Sequence, residues 1–190
     1  MHILTVRNLI CFVASAVIPL HRTYKNDLIL PFPVNRECIR SLEMVLHIPI
    51  AAEYFYEYLE KLSNDDNAPA FFGLYTDIRA YDRMWKDEDT TRDERLQQAF
   101  EIYDNYVKEG AEWELSLPSF VQSDLDEKMA RVEDNLDDHL FDTLYSYVLA
   151  VLNNHFMQFK RSRLYTLLEE EVQKQEALYD ILRSNSMISL

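Results

Sequence analysis

Phe141-Asp142-Thr143-Leu144-Tyr145-Ser146-Tyr147-Val148-Leu149-Ala150-Val151-Leu152-Asn153-Asn154-His155-Phe156 carries Phe141, Leu144, Val148, Val151, Leu152 and Phe156 at helical spacing. At 3.6 residues per turn these side chains fall on one stripe, whereas the period of two in a strand would scatter them over both faces. The stretch therefore predicts a long helix with one buried face. It is the pattern that the rest of the chain repeats.

Working toward the N-terminus, Pro118 opens a helix with Val121, Leu125, Met129 and Val132 on one side. The acidic run Glu133 to Asp138 separates it from the long helix. Before Pro118 lies a helix with Leu96, Ala99, Phe100, Tyr103 and Val107, opened by Thr90 and Asp93 as a capping pair and followed by Gly110. A third helix runs to about Met84 with Phe71, Leu74, Tyr75, Ile78 and Tyr81, after the polar cluster Ser63 to Asn67 that supplies its N-cap candidates. Two shorter segments precede it, about Glu37 to Ile48 with Pro49 as its stop, and about Ile50 to Leu62. The final amphipathic helix is expected from Arg163 to Leu182. Phe71, Phe72, Phe100, Tyr103, Phe141, Leu144, Val148 and Leu152 are expected to share one core.

Composition agrees with an all-α fold. Only 2 of 190 residues are glycine, which leaves little material for phosphate-cradling loops, while 48% are hydrophobic and 13% aromatic. The length suits one domain. A formal charge of −14 argues against nucleic acid as a partner, since a phosphate backbone would be repelled. Cys11 and Cys38 are too few for a disulfide framework or a four-thiolate zinc site, and they fit a reducing compartment.

The apolar run Leu9 to Leu20, broken only by Ser15 and Pro19, has Arg7 before it and His21, Arg22 and Lys25 after it. Three readings stay open: the end of a transmembrane span, an apolar segment packed on the domain, or a signal peptide with a cleavage site at Ala14 to Ala16. Residues 21 to 36, with Pro31 and Pro33, read as a linker.

Chemistry of its own is hard to find. The five histidines show no ligand spacing for zinc or di-iron, and Asp65-x-Asn67 lacks the glycine and closing glutamate of a calcium loop. Asp137-Asp138 reads as a solvated helix start rather than an acid/base pair. No nucleophile motif with a recognisable base is present.

Five short motifs, taken in order, are informative. Ser41-Leu42-Glu43-Met44-Val45-Leu46 is followed by Ala52-Glu53-Tyr54-Phe55-Tyr56-Glu57-Tyr58-Leu59, and Asp65-Asp66-Asn67 then stands ahead of Phe71-Phe72. Glu112-Trp113-Glu114-Leu115-Ser116-Leu117 comes next, and Phe159-Lys160-Arg161-Ser162-Arg163-Leu164-Tyr165 closes the series. In this order and spacing the stretch Ser41 to about Glu171 resembles the regulator of G-protein signalling (RGS) domain family. Glu109 to Leu115 is especially similar to RGS domains fused behind seven transmembrane helices.

The resemblance implies an RGS-like, two-lobed helical domain of nine helices, built around a four-helix bundle whose loops at one end bind a Gα subunit. It implies a GTPase-activating regulator with no active site, cofactor or metal of its own. The Gα-binding residues carried over are Asp66 and Asn67 in the first loop, Glu114, Leu115 and Ser116 in the second, and Asn154 and Gln158 near the end of the long helix. Ser116 stands where the family has asparagine, and Asn154 and Gln158 stand where it has aspartate and arginine, so charge-assisted bonds are lost there. The other function class is a catalytically silent helical scaffold or adaptor. The expected layout is 1–36 as apolar segment and linker, 37–183 as the RGS-like domain and 184–190 as a tail. The expected partner is Gα in its GTP-bound or transition-state form, met in the cytoplasm or at the cytoplasmic face of a membrane.

Overall fold

Aromatic side chains set the direction of the central helices. The computed structural model describes residues 34–62 and 67–188, with side chains as far as 181. Among them are seven helices and no strand: α1 (Leu42–His47), α2 (Pro49–Glu60), α3 (Ala68–Met84), α4 (Arg92–Tyr106), α5 (Ser119–Met129), α6 (Asp142–Phe159) and α7 (Arg163–Ile188). The protein is all-α, as the periodicity predicts. The apolar run Leu9 to Leu20 and Asp66 lie outside the described residues.

The described residues divide into two compact units, one within 54–165 and the other formed by 34–53 with 166–188. In the first, α3 packs on α4 and α6, and α5 packs on α6. Ring centroids of Phe71 and Tyr147 lie 6.1 Å apart, those of Tyr75 and Tyr145 6.0 Å, and those of Tyr81 and Phe141 5.1 Å. Numbers that rise along α3 fall along α6, so the two helices are antiparallel. Phe55 meets Phe156 at 6.0 Å and Phe159 at 5.3 Å, and both phenylalanines are almost wholly buried. Edge-to-face pairs of this kind add to the burial of their large apolar areas.

In the second unit, Ile39, Leu42, Val45, Ile48 and Ala51 are buried, as are Leu168 and Val172. Arg36 Nη2 donates to Gln173 Oε1 at 2.8 Å, tying the two chain segments of this unit together.

Local signals moved several boundaries. Asn35 Oδ1 accepts from the N–H groups of Glu37 and Cys38, so a turn occupies the positions expected to open the first helix. The helix begins instead at Leu42, with Ser41 Oγ accepting from Met44 N. The capping box is Thr91 with Glu94, one residue beyond the expected Thr90 and Asp93. Glutamate has the extra methylene needed to reach back, and its Oε2 accepts from Thr91 N at 2.8 Å. Pro118 is the N-cap of α5 rather than its first helical residue, in extended conformation with ψ 143. The last helix continues to Ile188, past the expected Leu182.

Of the expected shared core, Phe71, Phe141, Leu144, Val148 and Leu152 are buried, Phe72 and Tyr103 are half-buried, and Phe100 is 37% exposed. Two stripes run along α4, and Ala99, Ile102 and Tyr106 take the buried face.

Candidate functional site

One end of the bundle gathers the segments singled out in the sequence. Arg95 Nε donates to Met84 O at 3.0 Å and the Tyr106 hydroxyl donates to Asp77 Oδ2 at 2.8 Å, so α4 runs antiparallel to α3. Lys128 Nζ donates to His139 O at 3.4 Å, and Asp124 is hydrogen-bonded to Thr143, so α5 runs antiparallel to α6. The start of α3, the close of α4 with its following loop, the start of α5 and the close of α6 therefore point the same way.

Asn67 is the N-cap residue of α3 and is exposed. Its carbonyl accepts from Ala70 N and Phe71 N, and its side chain makes no cap hydrogen bond. Pro69 in the first turn suits the helix start, where an N–H would have no partner within the helix.

The loop after α4 is held at several points. Val107 N and Lys108 N both donate to Tyr103 O at 3.0 Å, which closes the helix before glycine is reached. Gly110 then turns the chain with φ +78, a conformation that costs L-residues about 1–2 kcal/mol. The Gly110 N–H donates to Glu114 Oε2 at 2.8 Å, so the Glu114 carboxylate braces the loop from its exposed position. Trp113 N donates to Asn105 O and Leu115 N to Tyr106 O, at 3.1 and 2.9 Å. Leu115 is buried while Ser116, next to it, is exposed. Leu115 thus anchors the loop and Ser116 faces solvent.

Asn154 and Gln158 are both exposed and lie one turn apart on α6. Met157 between them is also exposed, at 48%.

Behind the loop lies a polar contact that no spacing in the sequence announced. Burial is the main cause that pushes the Asp77 carboxyl above its usual range; the hydrogen bond from Tyr106 opposes this and nearby Glu101 adds to it. Burial likewise raises the Tyr106 phenol, reinforced by Asp77. The Tyr56 hydroxyl is pushed up to about 12, chiefly by burial and then by Glu60. Tyr56 and Tyr106 stay uncharged phenols at neutral pH, and Tyr106 ties α4 to α3 through its side chain while holding Leu115 through its backbone.

The profile of the Regulator of G protein signaling domain matches residues 41–168. The chain belongs to that family. No curated protein matches it. RGS domains are GTPase-activating regulators of heterotrimeric G proteins that bind Gα subunits and have no catalytic centre of their own, and as a member the chain is a regulator of G-protein signalling. Among the described residues no group of histidine, cysteine and carboxylate side chains is placed to hold a metal ion. No helix among them is long and apolar enough to cross a membrane.

Proposed function

We propose that this RGS domain grips the switch segments of a Gα subunit with the loop end of its bundle and so speeds GTP hydrolysis. Asp66 and Asn67 form the first contact, Glu114 and Ser116 the second with Leu115 as anchor, and Asn154 and Gln158 the third. The observation that carries this reading is the common direction of those three segments in the antiparallel bundle. A Gα subunit has its catalytic arginine in cis, so a partner contributes by holding the switches in the geometry of the transition state. Such a partner binds the transition-state form more tightly than the GDP form.

Residues 1–36 are then a membrane-proximal apolar segment and linker, 37–183 the RGS domain and 184–190 a tail, similar in plan to RGS domains carried behind seven transmembrane helices. With Arg22 and Lys25 on the cytoplasmic side, the domain meets lipid-anchored Gα at the membrane face, where tethering raises the effective concentration.

A second reading, a scaffold without activity on GTP hydrolysis, is favoured by neutral Asn154 and Gln158 where the family has charged residues. Binding to a Gα subunit loaded with GDP and aluminium fluoride, compared with GDP alone, separates the two. The expected result is tighter binding to the fluoride form, and a loss of that preference by at least about tenfold in Asn67→Lys with an unchanged melting temperature. Equal binding to both forms would favour the scaffold.

A further inference from the structure

The outer face of α4 carries a second apolar stripe that the loop end of the bundle does not use. Leu96, half-buried, and Phe100, exposed, lie one turn apart there, beside the buried Ala99, Ile102 and Tyr106. With Asp93, Gln97, Glu101, Asp104 and Asn105 they line one side of an open trough of about 530 Å³. Phe100 is 37% exposed, and Asp93, Glu101 and Asp104 are all exposed.

The charge on this face is mainly negative, with Lys108 as its cation. Asp104 is paired with Lys108 Nζ at 2.8 Å, and Glu101 accepts from the neutral Gln97 amide at 2.8 Å. Among the described residues, neither Asp93 nor Glu101 forms an ion pair with a cation, and no lysine or arginine lines the trough. The nearby cations point elsewhere: Arg92 Nη2 donates to Glu133 O, and Arg95 lies over the Trp85 ring at 4.7 Å.

We propose that this face docks a basic amphipathic helix of another protein. An apolar strip between carboxylates fits a helix with leucine-like anchors at positions i and i+4 and lysines or arginines flanking them. The aromatic ring of Phe100 is the central anchor, and the carboxylates steer the approach and fix the orientation. This surface adjoins the loop end at Asn105 but contains none of the proposed Gα-contact residues, and its test needs no Gα.

The probe is a fluorescent 18-residue peptide of leucine and lysine only, with the leucines on one helical face, titrated into the full chain and followed by anisotropy. Saturable binding is expected, weakened at least about fivefold by Phe100→Ala and at least about tenfold by Glu101→Lys with Asp104→Lys. A control pair with the same change in net charge but outside the trough's lining, Glu133→Lys with Asp134→Lys, is expected to shift affinity by less than about twofold at 0.15 M salt, where exposed charges are partly screened. Replacing the peptide's leucines with serine is expected to abolish binding. All these substitutions are at exposed positions, and circular dichroism melts confirm that each variant is folded. The proposal is overturned if the wild-type chain does not bind, if the control pair weakens binding as much as the trough pair, or if the serine peptide or Phe100→Ala matches the unmodified partners.

Discussion

The α3–α6 seam and the loop end of the same bundle are built on different principles. Along the seam, ring meets ring from Phe71 and Tyr147 to Tyr81 and Phe141, and the aromatic packing continues into Phe55 of α2 with Phe156 and Phe159 where α6 nears its close. At the loop end, a few backbone hydrogen bonds, one glycine and one carboxylate hold a turn whose Ser116 is left to solvent. The seam gains stability from buried area, which many side chains share. The loop gains shape from single bonds, and a surface that must receive a partner has little area of its own to bury.

The seam is therefore the place where one substitution does most damage. Phe156→Ala removes a ring that is 2% exposed and touches Phe55 and Phe159, and it is expected to cost about 3–5 kcal/mol in urea unfolding. A loss under about 1 kcal/mol would mean that the seam is not the main store of stability. Gly110→Ala probes the loop: a Cβ there meets nothing within 4 Å, so only the backbone conformation resists it, and the expected cost is about 1–2 kcal/mol. That loss is expected with the aromatic core intact by near-ultraviolet circular dichroism.

The smallest effect tests the polar contact between the two regions. The folded-state carboxyl of Asp77 titrates above its unfolded value, so its ionised form is disfavoured in the native state. Its contribution to stability is fully present below the unfolded pKa and is lost as pH rises through the folded one. Asp77→Asn keeps an acceptor for the Tyr106 hydroxyl while removing the half-buried charge. It is expected to raise the melting temperature by a few degrees at pH 7, with the gain fading as pH falls toward 4. A gain that persisted or grew at acid pH would contradict the burial of that charge.

The seam was legible because apolar spacing reports burial directly: Phe141, Leu144, Val148, Leu152 and Phe156 are buried as their period predicts. On α4 two apolar stripes overlap, and the period through Phe100 and Tyr103 points inward although the buried side belongs to Ala99, Ile102 and Tyr106. Alanine gives a weak signal beside phenylalanine, so residue size outweighed phase. The loop was legible only in part. Gly110 marked a turn, but Glu114 reaching Gly110 N, Leu115 bonding Tyr106 O, and Tyr106 reaching Asp77 are contacts between residues whose separations follow no period. The family motifs, matched by the profile over residues 41–168, carried the choice of loop where periodicity had nothing to say.

Single-turnover GTP hydrolysis by purified Gα subunits of the source organism, with and without the full chain, tests the proposed activity most directly. Acceleration by the wild-type chain is expected, with a further several-fold gain in Asn154→Asp with Gln158→Arg, because charged groups restore the stronger hydrogen bonds at the third contact. Hydrolysis at the same rate with and without saturating chain, for both the wild type and the double variant, would contradict a GTPase-activating role for this domain.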